Sequence, residues 1–214
     1  MQLIPAVDIK GGKCVRLIQG QADQETVYSN DPVAMACYWD EAGATTIHVV
    51  DLDGAFDGKP TNLSLVKSII NSSSVNIQVG GGIRTMESVE RYIDLGAARI
   101  ILGTVAFNDP TFVSEAAKRF PGKVIVGIDV RDGKVATKGW VEVSDRKASE
   151  FAMTFEDSLI GINNRNLDTL EVSLNTSVQL GKILSSHKNP LVCESGIHSA
   201  ENVKYILENT EIYN

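Results

Sequence analysis

Cysteine is scarce in this 214-residue chain, and its three copies, Cys14, Cys37 and Cys193, lie far apart. An odd number with no CxxC or Cys/His spacing makes neither a disulfide framework nor a zinc site. All three read as small buried or half-buried thiols, and no metal is expected. Long apolar runs are missing too. None reaches the ~18 residues that span a bilayer, and the opening MQLIPAVDIK lacks a basic-then-apolar signal pattern. The expectation is a cytosolic protein with no membrane partner. Positive charge is in deficit, with 20 Lys and Arg against 27 Asp and Glu and a net charge of −7. That excludes nucleic acid as a general partner, since its binding surface needs a basic stripe. A small anionic substrate stays open, because helix N-termini and loop amides hold phosphate locally whatever the net charge. The fingerprint GxGxxG is absent as well, which weighs against a dinucleotide.

What is present is an ordinary globular composition, 43% apolar, with 18 glycines spread along the chain. Short β-branched runs alternate with longer amphipathic stretches. The strand candidates are Leu3–Ile9, Ile47–Asp51, Ile77–Val79, Ile100–Leu102, Val124–Ile128, Leu159–Ile162 and Leu191–Cys193. Helical patterns fall at Asp31–Ala42, Asn62–Ile70, Met86–Leu95, Pro110–Phe120, Lys147–Phe155, Thr176–Leu184 and Ala200–Leu207. Strict β-then-α alternation predicts an α/β protein with a parallel sheet, and no linker interrupts it, so residues 1–214 read as one domain. Alternation fits an open doubly wound sheet as well as a barrel.

An internal repeat selects the barrel. Asp8-Ile-Lys-Gly-Gly-Lys13 matches Asp129-Val-Arg-Asp-Gly-Lys134 at an offset of 121, and Gly82-Ile-Arg-Thr-Met-Glu-Ser-Val89 matches Gly196-Ile-His-Ser-Ala-Glu-Asn-Val203 at an offset of 114. Two halves of four β/α units make a (β/α)8 TIM barrel. Applying the second offset to Ala98–Thr104 puts the eighth strand at positions 212–218, and the chain stops at Asn214. A barrel lacking its eighth strand and helix is therefore expected.

Catalytic groups of such barrels sit at the C-terminal ends of strands. Asp8 and Asp129 both hold that position, on the first and fifth barrel strands, and opposed carboxylates suit a reaction that shuttles protons between an acid and a base. The plainer reading has each aspartate capping its loop. Gly80-Gly81-Gly82-Ile83-Arg84 follows a strand and opens a helix, where glycines let backbone amides approach a phosphate. Gly103 and Thr104 end the next strand and supply further amides and a hydroxyl. Glu194-Ser195-Gly196, the repeat partner of the glycine loop, is the candidate for a second phosphate. Arg16 in the long first loop and Asp51 at the end of the second strand are candidate substrate contacts, as is Arg84. Trp140 sits in the polar loop VATKGWVEV, either a packing anchor or a stacking platform for a planar heterocycle. His48, inside a strand, reads as core.

Taken together, IPAVDIKGGKCVRL, HVVDLDGA, VGGGIRT, ILGTVAF and VGIDVRDGKVATKGW closely resemble the HisA family over residues 1–157. Members are cytosolic, cofactor-free barrel enzymes, phosphoribosylformimino-AICAR phosphate isomerases of histidine biosynthesis. The resemblance implies an Amadori aminoaldose-to-aminoketose rearrangement of a small substrate with two phosphates. It makes Asp8 the base and Asp129 the acid, puts one phosphate on Gly81, Gly82, Gly103 and Thr104, and lays Trp140 over the imidazole. Residues 158–214, with SLIGINNRNLDTLEVSLNTSVQL and LVCESGIHSAENV, instead resemble indole-3-glycerol phosphate synthase, in which Asn163, Arg165, Glu194 and Ser195 match substrate-binding or active-site positions. The lysines that synthase needs on earlier strands have no counterparts here. The chain thus reads as a join near Asp157–Ser158 between two homologous barrels. Beside the isomerase stand two alternatives, a carbon–carbon lyase and a phosphate-binding barrel without turnover.

Overall fold

The computed structural model describes residues 4–17, 25–127, 130–131, 134–135, 146, 149–150, 153, 159–165, 171–187, 191–197 and 199–210. The chain falls into two compact units, residues 2–102 and 103–214. In the first, β1 (Ala6–Lys10), β4 (Thr46–Asp51), β5 (Asn76–Gly80) and β6 (Arg99–Leu102) run parallel and adjacent in that order. Every residue of β4 is buried, its polar Thr46, His48 and Asp51 included, which is why the strand shows no alternation of apolar and exposed positions. Helices α1 (Pro32–Glu41), α3 (Leu63–Ser72) and α4 (Met86–Asp94) separate these strands. Each start is chemically marked or apolar-spaced. Asp31 caps α1 by accepting from the amides of Val33 and Ala34, both at 3.0 Å, with Pro32 at the first helical position. Val66 and Ile69 of α3 and Val89 and Tyr92 of α4, each pair three residues apart, are fully buried.

The first loop is not a loop. Lys13–Leu17 (β2) and Glu25–Ser29 (β3) extend the sheet as an antiparallel arm in the order β1-β2-β3, so Arg16 stands on a strand. A short helix, α2 (Leu52–Asp57), also follows β4.

The second unit opens with two helices, α5 (Thr104–Asn108) and α6 (Pro110–Arg119). Strands β7 (Val124–Val126), β10 (Leu159–Asn163) and β11 (Leu191–Glu194) are parallel, with β10 central. Val130–Arg131 (β8) and Lys134–Val135 (β9) form a small antiparallel pair. Helices Asn175–Ile183 and Ala200–Asn209 flank β11 in sequence. Most of the expected helix at 147–155, and the join at 157–158, lie outside the described residues. The α/β alternation of both units is the expected one, and among the described residues no helix is long and apolar enough to cross a membrane.

Candidate active site

Asp8 is half-buried near the end of β1, in register with Val50 of β4. Burial pushes its carboxyl up to about 6, and the nearby positive charge of exposed Arg16 on β2 offsets part of that rise. Such a group is ionised at neutral pH yet far more basic than an ordinary aspartate, the combination a general base needs. Lys10, two residues on, pairs with Glu25 of β3 at 2.5 Å and ties the end of β1 to the arm. The thiol of buried Cys14 on β2 is pushed up to about 11, by burial first and then by Asp31 and Asp8. It stays protonated and inert.

Asp51 ends β4 fully buried, and its carboxylate is a hub. One oxygen accepts from the Gly54 amide at 2.8 Å and Asn62 Nδ2 at 2.7 Å, the other from the amides of Thr61 at 2.8 Å and Asn62 at 2.9 Å. Four donors on one carboxylate hold the loop after β4 in place. Asn62 Nδ2 also reaches Asp53 at 2.8 Å, and Asp53 accepts from the Gly11 amide at 2.8 Å, so the turn after β1 is tied to the same network. The sequence marks Asp51 as a candidate substrate contact and gives Asp53 and Asn62 no role. In the structure the carboxylate of Asp51 is spent on the protein's own amides. His48 is buried, with Nδ1 3.2 Å from Gln78 Nε2, and burial holds its ring down to about 3, hence neutral.

The glycine loop presses on this hub. Gly81 and Gly82 have φ of 104° and 71°, and a Cβ on either would overlap backbone, the Asp51 carbonyl or the Gly54 carbonyl. Glycine is thus required here for close packing of two loops as well as for any approach of phosphate. Arg84 is exposed, lies against Gly58 and donates from Nη2 to the Ala55 carbonyl at 3.4 Å. Helix α4 begins behind Thr85, whose hydroxyl accepts from the Ser88 amide at 3.2 Å, rather than at the glycines. In the second unit, Gly103 is the N-cap of α5 and Thr104 its first residue.

The loop after β11 is built differently. Among the described residues, Ser195 is the non-glycine with positive φ, 65°, followed by Gly196 at 79°. Beneath it lies Asn164, buried just past the end of β10. Its amide donates to the Glu194 carbonyl at 2.9 Å, and its Oδ1 accepts from the Ser177 amide at 3.0 Å. Its Nδ2 donates to the Ser195 carbonyl at 3.2 Å and to Cys193 Sγ at 3.1 Å. Buried Asn163 accepts from the Arg165 amide at 2.8 Å, and Glu194 lies over Gly161 of the neighbouring strand. The sequence reading singled out Asn163 and Arg165 and missed Asn164. Asp129 and Trp140 fall outside the described residues. Among those described, no three His, Cys, Asp or Glu side chains cluster to hold a metal ion.

Two family models match the chain. Histidine biosynthesis protein matches residues 2–163, and indole-3-glycerol phosphate synthase matches residues 135–211. Among curated relatives, proteins of Desulfatibacillum aliphaticivorans and Desulfosudis oleivorans are 45% and 44% identical over 96% and 97% of this chain, and 83% of each of theirs. One of Chromohalobacter salexigens is 53% identical over 73% of this chain and 64% of its own. All three are named 1-(5-phosphoribosyl)-5-((5-phosphoribosylamino)methylideneamino) imidazole-4-carboxamide isomerase.

Proposed function

The chain belongs to the histidine biosynthesis protein family, of (β/α)8 barrel fold, and from that premise we infer that it catalyses the isomerisation its relatives are named for. The reaction is an Amadori rearrangement of an aminoaldose to an aminoketose. A proton delivered to the sugar ring oxygen opens the ring to a protonated imine. Removal of the proton at C2 then moves the double bond to C1–C2 and leaves the nitrogen neutral, and the enol so formed becomes the ketone as its hydroxyl loses a proton and C1 gains one. One acid and one base suffice to reach the enol, and the whole sequence involves no net oxidation or reduction.

The observation that carries the assignment of roles is Asp8, ionised at neutral pH with its proton affinity raised to about 6. It is the base that takes the C2 proton. Asp129, its repeat partner, is the acid. We assign Gly81, Gly82, Gly103 and Thr104 to one phosphate, and Ser195 with Gly196 to the other, supported by the sequence repeat and the matching left-handed backbone at Gly81 and Ser195. Arg16 and Arg84 are the charged contacts, and Trp140 covers the imidazole. Asp51 acts through the loop it holds rather than by touching substrate. A doubly phosphorylated substrate does not cross a bilayer unaided, which favours the cytosol, and the net charge of −7 disfavours nucleic acid as a partner.

Turnover of the bis-phosphoribosyl imidazole carboxamide named for the relatives tests the activity. Asp8→Asn is expected to cut kcat by ~10²–10⁴ with the fold intact, the usual worth of a general base. Near-parental turnover in that variant would remove Asp8 from the mechanism. The synthase match over residues 135–211 favours, as a second reading, a carbon–carbon lyase, which turnover of indole-glycerol-phosphate precursors would identify.

A further inference from the structure

We propose that Asn164 is a positioning residue that sets the affinity of the Ser195–Gly196 loop for phosphate. The proposal rests on the reading of that loop as a phosphate site. Two registers locate Asn164 in the repeat. Val50 pairs with Gly80 and Asn163 pairs with Glu194, and Gly80 and Glu194 are repeat partners. The residue after Val50 is Asp51 and the residue after Asn163 is Asn164. The two buried hubs therefore hold equivalent places, each beneath the left-handed loop of the next strand.

The chemistry of the second hub differs in a way that reaches the ligand. Asp51 only accepts, whereas the Asn164 carboxamide also donates, to the carbonyl of Ser195. That oxygen shares one rigid peptide plane with the amide of Gly196. Anchoring the oxygen therefore fixes the direction in which the Gly196 N–H points. Oδ1 is held from the other side by the Ser177 amide, and the Asn164 backbone is held at both ends, by the Glu194 carbonyl and the Ser173 amide, each at 2.9 Å. The carboxamide has no freedom to follow a moving loop. A left-handed serine is costly on its own, so a fixed partner for its carbonyl is what such a conformation needs to persist.

Asn164→Asp separates this role from a structural one. One carboxylate oxygen still accepts from Ser177, and the other now repels the Ser195 carbonyl. In the full chain, KM for the bisphosphate substrate is expected to rise at least ~10-fold, with kcat within ~3-fold, since Asp8 is untouched; the loss corresponds to one charge-assisted hydrogen bond. Inorganic phosphate, followed by amide chemical shifts at Ser195 and Gly196, should weaken by the same factor. Unchanged KM and phosphate affinity, or a loss confined to kcat, would overturn the proposal. If phosphate moves neither amide in the parent, the phosphate reading of the loop falls and the proposal with it. If the parent amides move and Asn164→Asp titrates identically, the positioning role alone falls. Should the variant not fold, hydrogen exchange of the Asn164 carboxamide in the parent decides. Saturating phosphate is expected to slow it at least ~10-fold, and an unchanged rate overturns the coupling.

Discussion

After β5 the chain turns through Gly81 and Gly82 at φ of 104° and 71°; after β11 the repeat partners Ser195 and Gly196 turn at 65° and 79°. The backbone is alike and the means are not. In the first unit two loops meet backbone to backbone, so only glycine fits and the hub beneath is a carboxylate that accepts four N–H donors. In the second, Gly196 faces a side chain, the Val172 methyl, and Ser195 keeps its Cβ in a strained conformation held by a carboxamide. The same turn is set by sterics in one unit and by a hydrogen bond in the other.

The largest effect should come from adding a methyl group. Gly81→Ala combines a left-handed alanine with a Cβ driven into the Asp51 carbonyl, and ~3–6 kcal/mol of stability should be lost in urea unfolding. Gly196→Ala carries the same backbone strain, but its neighbour is the end of a side chain that can rotate aside, so ~1–3 kcal/mol is expected. Equal losses at the two positions would show that the loops are held in one way after all.

Exchanging the hub chemistry ranks next. Asp51→Asn turns an oxygen that accepts from two amides into an NH2 group facing them, and ~2–4 kcal/mol should be lost. Asn164→Asp keeps the contact to Ser177 and spoils those to Ser195 and Cys193, for ~1–3 kcal/mol. A larger loss at Asn164 would reverse the comparison.

Legibility in the sequence followed the same divide. All seven short apolar-rich runs form strands, because most of their residues are buried or half-buried and few are polar. The β2–β3 arm went unread since β3, Glu-Thr-Val-Tyr-Ser, is exposed along nearly its whole length and shows no apolar face. Helices α2 and α5, of 6 and 5 residues, are too short for a period to register. Asp8 and the glycine loop stood out through the repeat. Asp51 stands out in the sequence only as a candidate substrate contact, because its donors, at positions 54, 61 and 62, come from a loop whose path no local pattern encodes. Asn164 carries no sequence signal of its own; the strand registers within each unit are what make it the equivalent of Asp51.

Asp8 tests the chemistry of the first unit against its stability. Its folded carboxyl holds a proton up to about 6, against an ordinary 3.8, so folding favours the protonated form. This group's stabilising contribution is full below about pH 3.8 and is lost as pH rises through 6, a deficit of at most ~3 kcal/mol at neutral pH. Asp8→Asn should therefore raise stability by ~1–3 kcal/mol at pH 7.5, with the gain vanishing near pH 4. The parent's kcat/KM, which reports the free enzyme, should fall as pH drops through about 6. A variant equally stable at both pH values would mean that burial does not tune this carboxyl.

The smallest effect should be at Ser195. Replacing it by glycine relieves a left-handed L-residue, worth ~1–2 kcal/mol, but gives the unfolded chain the extra freedom of glycine, which takes back ~0.5–1 kcal/mol. Ser195→Gly should thus change stability by no more than ~1.5 kcal/mol, in the stabilising direction, while the reciprocal Gly81→Ser should be as damaging as Gly81→Ala. The substitution leaves the Asn164–Ser195 carbonyl bond in place, since only main-chain oxygen is used. Phosphate affinity at Gly196 should accordingly persist in Ser195→Gly and fall in Asn164→Asp. A thermal melt and a phosphate titration on the two variants measure both sides of that contrast. If Ser195→Gly costs more than ~2 kcal/mol, the serine side chain itself supports the loop, and the peptide plane is not what Asn164 holds.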